Sequence, residues 1–112
     1  MAVNVENIVI EKGTNFSKQF KILNSDGSAF NLSNHTFTAK LRKWGESKNS
    51  VSFATTHGAD ATLGNLTISL SNSITGILTS GRSLYDVLIT SGVGTVTKIR
   101  EGMVIIRDTV SL

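Results

Sequence analysis

Two histidines, His35 and His57, and fourteen serines are the raw material from which this chain could assemble a nucleophile and its base. The chemistry would be acyl transfer, but no Gly-x-Ser-x-Gly elbow is present, and no glycine-rich loop precedes a long helix to cradle a phosphate. The expectation is therefore that the chain is not an enzyme and has no catalytic residues. Paired carboxylates offer little more, since Asp86 and Glu101 fall on separate predicted strands with no further acids clustered around them. Asp86 is expected to cap a turn or to pair with a nearby base such as Arg82 or Arg100. Asn24, Asp26 and Ser28 place oxygen side chains at alternate positions, yet the further carboxylates of a calcium loop are missing, so an Asx turn is the expected outcome.

Composition narrows the classes further. The chain has 112 residues and no Cys, which excludes disulfides, thiolate metal sites and cysteine nucleophiles; two histidines do not make a His-rich site. No metal and no cofactor are expected. Its 36 Ser, Thr and Asn residues favour the wet faces of strands, turns and caps over helix interiors, where their side chains compete for backbone hydrogen bonds. Four Asn-x-Ser/Thr sequons, at Asn15, Asn31, Asn34 and Asn65, are what chance supplies in such a chain. The net charge of +3 is spread along the sequence, and only Lys40-Leu41-Arg42-Lys43-Trp44 sets bases beside an aromatic. Nucleic acid is not the expected partner, because such binders concentrate their charge.

The start, Met-Ala-Val-Asn-Val-Glu, carries an acid where an export signal needs a base and an apolar run. The longest apolar run, Met103-Val104-Ile105-Ile106, is far below the roughly 20 residues of a membrane helix. A soluble protein made in a cytoplasm is expected, without membrane partners.

The elements that would position any site follow a period of two, which sends alternate side chains to opposite faces of a strand. Phe16, Phe20 and Ile22 form one face, broken by Lys18, which suggests an open edge. Phe37, Ala39 and Leu41 point inward from a strand whose outer face is Thr36, Thr38, Lys40, Arg42 and Trp44. Val51 and Phe53 form a short strand, and Leu66, Ile68 and Leu70 a strict alternation. Tyr85, Val87 and Ile89 lead through a Gly92-Val93-Gly94 turn into Thr95 to Arg100, a predicted hairpin. The alternation slips at Glu101-Gly102, where a bulge is predicted, and again between Val5 and Ile8. Ser71-Asn72-Ser73 followed by Ile74, Ile77 and Leu78 predicts one short helix, ended at Ser80-Gly81. The prediction is a single all-β domain over residues 1–112, an immunoglobulin-like antiparallel β-sandwich of about seven strands with one short helix; a small closed barrel is the alternative.

The order of these segments resembles the immunoglobulin-like N-terminal domain of phage upper-baseplate and tail-fibre proteins. The likeness runs from Glu11-Lys12-Gly13-Thr14-Asn15-Phe16 through Asn24-Ser25-Asp26-Gly27-Ser28 and Phe37-Thr38-Ala39-Lys40-Leu41-Arg42-Lys43. It continues through Asn65-Leu66-Thr67-Ile68-Ser69-Leu70-Ser71, Leu84-Tyr85-Asp86-Val87 and Arg100-Glu101-Gly102-Met103-Val104-Ile105. The resemblance implies a virion structural protein that docks onto other virion proteins in a tail, baseplate or fibre. The chain lacks that family's Pro near the helix end and its long C-terminal extension, which points to a stand-alone adaptor or a capsid decoration subunit. A carbohydrate-binding module for host attachment is a further alternative, for which one Trp and one Tyr are a thin supply of aromatic platforms.

Lys40, Arg42 and Trp44 are the protein-interface candidates, because a Trp beside an Arg on a strand face is a common interface anchor. The alternative is that Trp44 closes the end of the sandwich and the two bases form a solvated face. Lysine-poor terminal strands, Val3 to Ile10 and Met103 to Leu112, are expected at sheet edges, where a neighbouring subunit could pair with them. Homo-oligomeric, ring-like or trimeric copies around an axis of the particle, each contact weak alone and held by avidity, are the expected arrangement.

Overall fold

The computed structural model describes residues 4–24, 26–43 and 50–109. Its strands are β1 (Asn4–Val5), β2 (Ile8–Glu11), β3 (Phe16–Lys21), β4 (Thr36–Lys43), β5 (Ser50–Ser52), β6 (Ala54–His57), β7 (Asn65–Leu70), β8 (Gly81–Thr90) and β9 (Val96–Arg107). One sheet has the order β1-β9-β8-β4-β5, with β2 also on β9; the other is β3-β7-β6. With β1 and β2 counted as two halves of a first strand, and β5 and β6, separated only by Phe53, as two parts of a fourth that changes sheet, the rest fall in immunoglobulin order: second, fifth and fourth strands in one sheet, last, sixth and third in the other. The chain is an all-β, immunoglobulin-like sandwich.

The first strand departs from the antiparallel expectation, since both halves run parallel to β9. Strands joined by tight hairpins must be antiparallel, but the first and last strands share no hairpin and are free of that constraint. The pairing also corrects the edge assignment. β9 lies between β8 and the first strand, so Met103 to Arg107 is interior to the sheet, and the edges are β1/β2 and β5.

Alternation fixes which side chains meet between the sheets. Ala39 and Leu41 from β4, Val87 and Ile89 from β8, and Leu66, Ile68 and Leu70 from β7 are all buried. Lys18 does sit at an open edge: on β3, opposite Ile68, it reaches across to Glu6 at 2.7 Å. An inward-pointing charge of this kind discourages a foreign strand from adding to the edge.

The predicted slip in the last strand is real but lies elsewhere. Val87 pairs with Arg100 and Leu88 with Lys98, so the bulge is at Ile99, not at Glu101-Gly102, and β9 is one strand throughout. Ile99 and Arg100 therefore both face inward and are buried. The Arg100 guanidinium donates to the carbonyls of Lys21 (2.9 Å) and Ile99 (3.2 Å) and lies 5.3 Å from the centre of the Phe20 ring. It ties the two sheets together, with its Nε the one buried side-chain polar atom without a partner among the described residues.

The helix, α1 (Asn72–Thr75), is a single turn and stops short of the predicted Ser80-Gly81. Its cap is not the Ser71 side chain but the Asn15 Oδ1, which accepts from the Asn72 N–H at 2.9 Å. Thr75 is fully buried; its hydroxyl accepts from Gly13 N–H and donates to the Thr14 carbonyl at 2.7 Å, pinning the turn to the β2–β3 corner. A 3-10 turn at Ala61–Leu63 is capped by Asp60, and hydrogen bonds from the Thr62 hydroxyl and N–H hold that carboxyl below its ordinary range.

Candidate protein-docking face

β4 presents Thr38, Lys40 and Arg42 outward because Phe37, Ala39 and Leu41 occupy the opposite phase. The same argument turns Leu84, Asp86 and Leu88 outward on β8, where Ser83, Tyr85, Val87 and Ile89 are buried or nearly so. On β9 the bulge resets the phase. Residues three apart in an unbroken strand face opposite ways, yet Lys98 and Glu101 share the outer face and pair at 3.3 Å.

Register then composes the outer face row by row. Thr38 lies beside Leu88 and Leu88 beside Lys98; Lys40 beside Asp86 and Asp86 beside Glu101; Arg42 beside Leu84 and Leu84 beside Met103. Val5 on β1 adjoins Glu101. These residues line a depression of about 800 Å³. Leu84 is 44% exposed and Val5 72% exposed, with Val9 also open to solvent farther along the first strand. Lys40 and Arg42 are in none of the four ion pairs among the described residues. The face thus carries what protein interfaces use: uncovered apolar side chains set among charged groups, of which Lys40 and Arg42 have no ion-pair partner among the described residues.

Of the sequence candidates, Lys40 and Arg42 stand together on this face, and Trp44 lies outside the described residues. Asp86 is in mid-strand, so it caps no turn, and Arg100 is turned away from it into the sandwich. The carboxylates of Asp86 and Glu101 occupy directly paired positions, but no group of three or more His, Asp or Glu suited to a metal occurs among the described residues. The turn at Asn24 to Ser28 is an Asx turn, in which the Asp26 carboxylate accepts from the Ser28 N–H and hydroxyl. Those bonds, the hydroxyl's first, hold the Asp26 carboxyl below its ordinary range. Each histidine is held locally, His35 Nδ1 at 2.7 Å from the Ser33 carbonyl and His57 Nδ1 at 2.7 Å from that of Gly58.

The sequence reading set Leu88 in the phase of Asp86 and Thr90, opposite Tyr85, Val87 and Ile89, but did not count it, Leu84 or Met103 among the interface candidates. Their signal was present, since each stands in the polar phase of its strand.

Directly behind this face, the Tyr85 hydroxyl donates to the Glu6 carbonyl at 2.5 Å. Burial, then the Glu6 charge, push the phenol from 10.0 up to about 12, with Arg100 acting in the opposite sense. The folded value lies above the unfolded one, so the stabilisation is complete below pH 10.0 and is lost as the pH rises through about 12. Tyr85 is the only tyrosine, so phenolate absorbance reads it directly. The expected titration midpoint is near 12 in the native protein and near 10 in urea; a native midpoint near 10 would mean that the hydroxyl is open to water.

No protein-family model matches the chain, and no curated relative does. Among solved structures, an internalin-like protein of Listeria monocytogenes aligns with 92% of this chain at 14% identity and a TM-score of 0.44. The chain spans 27% of that protein's length, and the likeness is too distant to bear on function.

Proposed function

We propose that the chain is a virion structural protein of a phage, a β-sandwich adaptor in the tail, baseplate or fibre that works by docking onto other virion proteins. The observation that carries the docking role is the outer face of the five-position sheet, where exposed Leu84 and Val5 lie beside Lys40 and Arg42, which form no ion pair among the described residues. Uncovered apolar groups on a sheet this well packed inside are placed for a partner, because a monomer gains nothing by leaving them in water. The particle setting is supported by the order of strands and turns shared with the phage baseplate and fibre domain. Localisation in the virion, after synthesis in the host cytoplasm, goes with it.

Electron microscopy of particles purified from the producing cells tests the reading. Density for this two-sheet domain in symmetric copies on the tail, baseplate or fibre is expected. Copies on the capsid shell would transfer the role to decoration, and a chain abundant in the lysate but absent from particles would end the proposal.

A further inference from the structure

Taking the outer sheet face as a docking surface, we infer that its occupant is a second copy of this chain, packed face to face about a two-fold axis running along β8. The sign of charge changes across one row of the face. Lys40 on β4 is followed by Asp86 on β8 and Glu101 on β9, so the row is basic at one side and acidic at the other. A two-fold axis along the middle strand lays β4 of each copy over β9 of the other. Lys40 then meets Glu101 of the second copy, twice, each Glu101 being shared with Lys98 of its own copy at 3.3 Å, and the two Asp86 carboxylates on the axis are flanked by both lysines.

The neighbouring row supplies the apolar centre. Leu84, 44% exposed, meets its own counterpart at the axis, with Met103 to one side and Arg42 to the other. Facing copies close the depression into an interior between two sheets, the arrangement by which sheets bury side chains in any sandwich. Four strand positions at about 4.8 Å and eight residues at about 3.3 Å give a projected footprint of roughly 500 Å² per copy. Side-chain relief brings that toward the roughly 800 Å² per partner of a standard interface.

Sedimentation equilibrium of the purified chain across a range of concentrations is the test. The 12.0 kDa chain is expected to shift toward twice that mass as concentration rises, and less so at high salt. Leu84→Arg sets two cations at the axis between the two Arg42 side chains, in a row that holds no acid, and is expected to stay monomeric, with an unchanged Tyr85 titration showing that it is folded. Lys40→Glu and Glu101→Lys alone should each weaken the dimer by roughly tenfold, and the two together in one chain should restore it. Restoration requires the two residues to meet across copies. A wild-type protein monomeric at every concentration overturns the inference and leaves the face to a different protein, without touching the location in the particle. A dimer indifferent to Leu84→Arg, or a double variant no better than the singles, overturns it as well.

Discussion

Gly102→Ala is expected to lower the stability of the domain by about 2–5 kcal/mol. A Cβ at Gly102 would lie 2.2 Å from the Glu6 carbonyl oxygen and 2.8 Å from its carbon, both backbone atoms that cannot swing aside. Relief requires the first strand to move off β9, which breaks the Glu6 N–H to Glu101 carbonyl bond of 2.9 Å and the Tyr85 hydroxyl bond to Glu6. The buried phenol then loses its acceptor, so steric strain and an unmet hydrogen bond add. Urea denaturation measures the loss. Gly58→Ala is the control, because its new Cβ would meet only the Asn65 Cβ at an ordinary 3.6 Å; it should change stability by less than about 0.5 kcal/mol. Equal midpoints for the two variants would show that Gly102 is not required by close approach.

Phe20→Ala has the other large expected effect, about 3–5 kcal/mol. Phe20 is 2% exposed on β3, opposite Leu66, and its ring is stacked on Tyr85 at 6.5 Å with 12° between planes. The Arg100 guanidinium covers the same ring, so truncation opens a cavity and also strips a buried cation of its aromatic face. Against a total stability of roughly 5–15 kcal/mol for a domain, the variant sits near the limit of folding. Phe20→Leu keeps most of the volume and removes the ring. Its urea midpoint should fall between wild type and Ala, and a Leu variant as stable as wild type would mean that neither the stack nor the cation over the ring contributes.

The strands were readable in the sequence wherever one face is dry and the other wet. Phe37, Ala39 and Leu41 against Lys40 and Arg42, or Leu66, Ile68 and Leu70 against Thr67 and Ser69, leave no doubt about phase. Position within the last strand was harder to read, because Gly102 looks like the natural place for a bulge. Its small size instead serves the approach of Glu6, and the bulge falls on Ile99, whose side chain gives no such hint. Arg100 misled for a related reason. A charged residue reads as solvent-facing, but its long stem lets the guanidinium reach backbone carbonyls and an aromatic ring inside. Thr75 gave no pattern at all, since its partners are backbone groups of Gly13 and Thr14 some sixty residues away.

The docking face was half legible. Lys40 and Arg42 could be placed from one strand, but the row that joins Lys40 to Asp86 and Glu101 depends on the register of three strands and on the shift at Ile99. Register between distant strands is set by the closing of the whole sandwich, and no local signal carries it.

The parallel pairing of the first strand with the last has a bearing on how the chain is made. Ile8 pairs with Val104, so a growing polypeptide must add almost a hundred further residues before β2 finds its partner. Until then Ile8 and Ile10, both destined for the core, have no strand beside them, and the nascent chain carries an open apolar segment. Long-range closure of this kind places folding in the slow, millisecond-to-second class. The seam between the first and last strands thus cannot begin to close until the chain has been made as far as Val104.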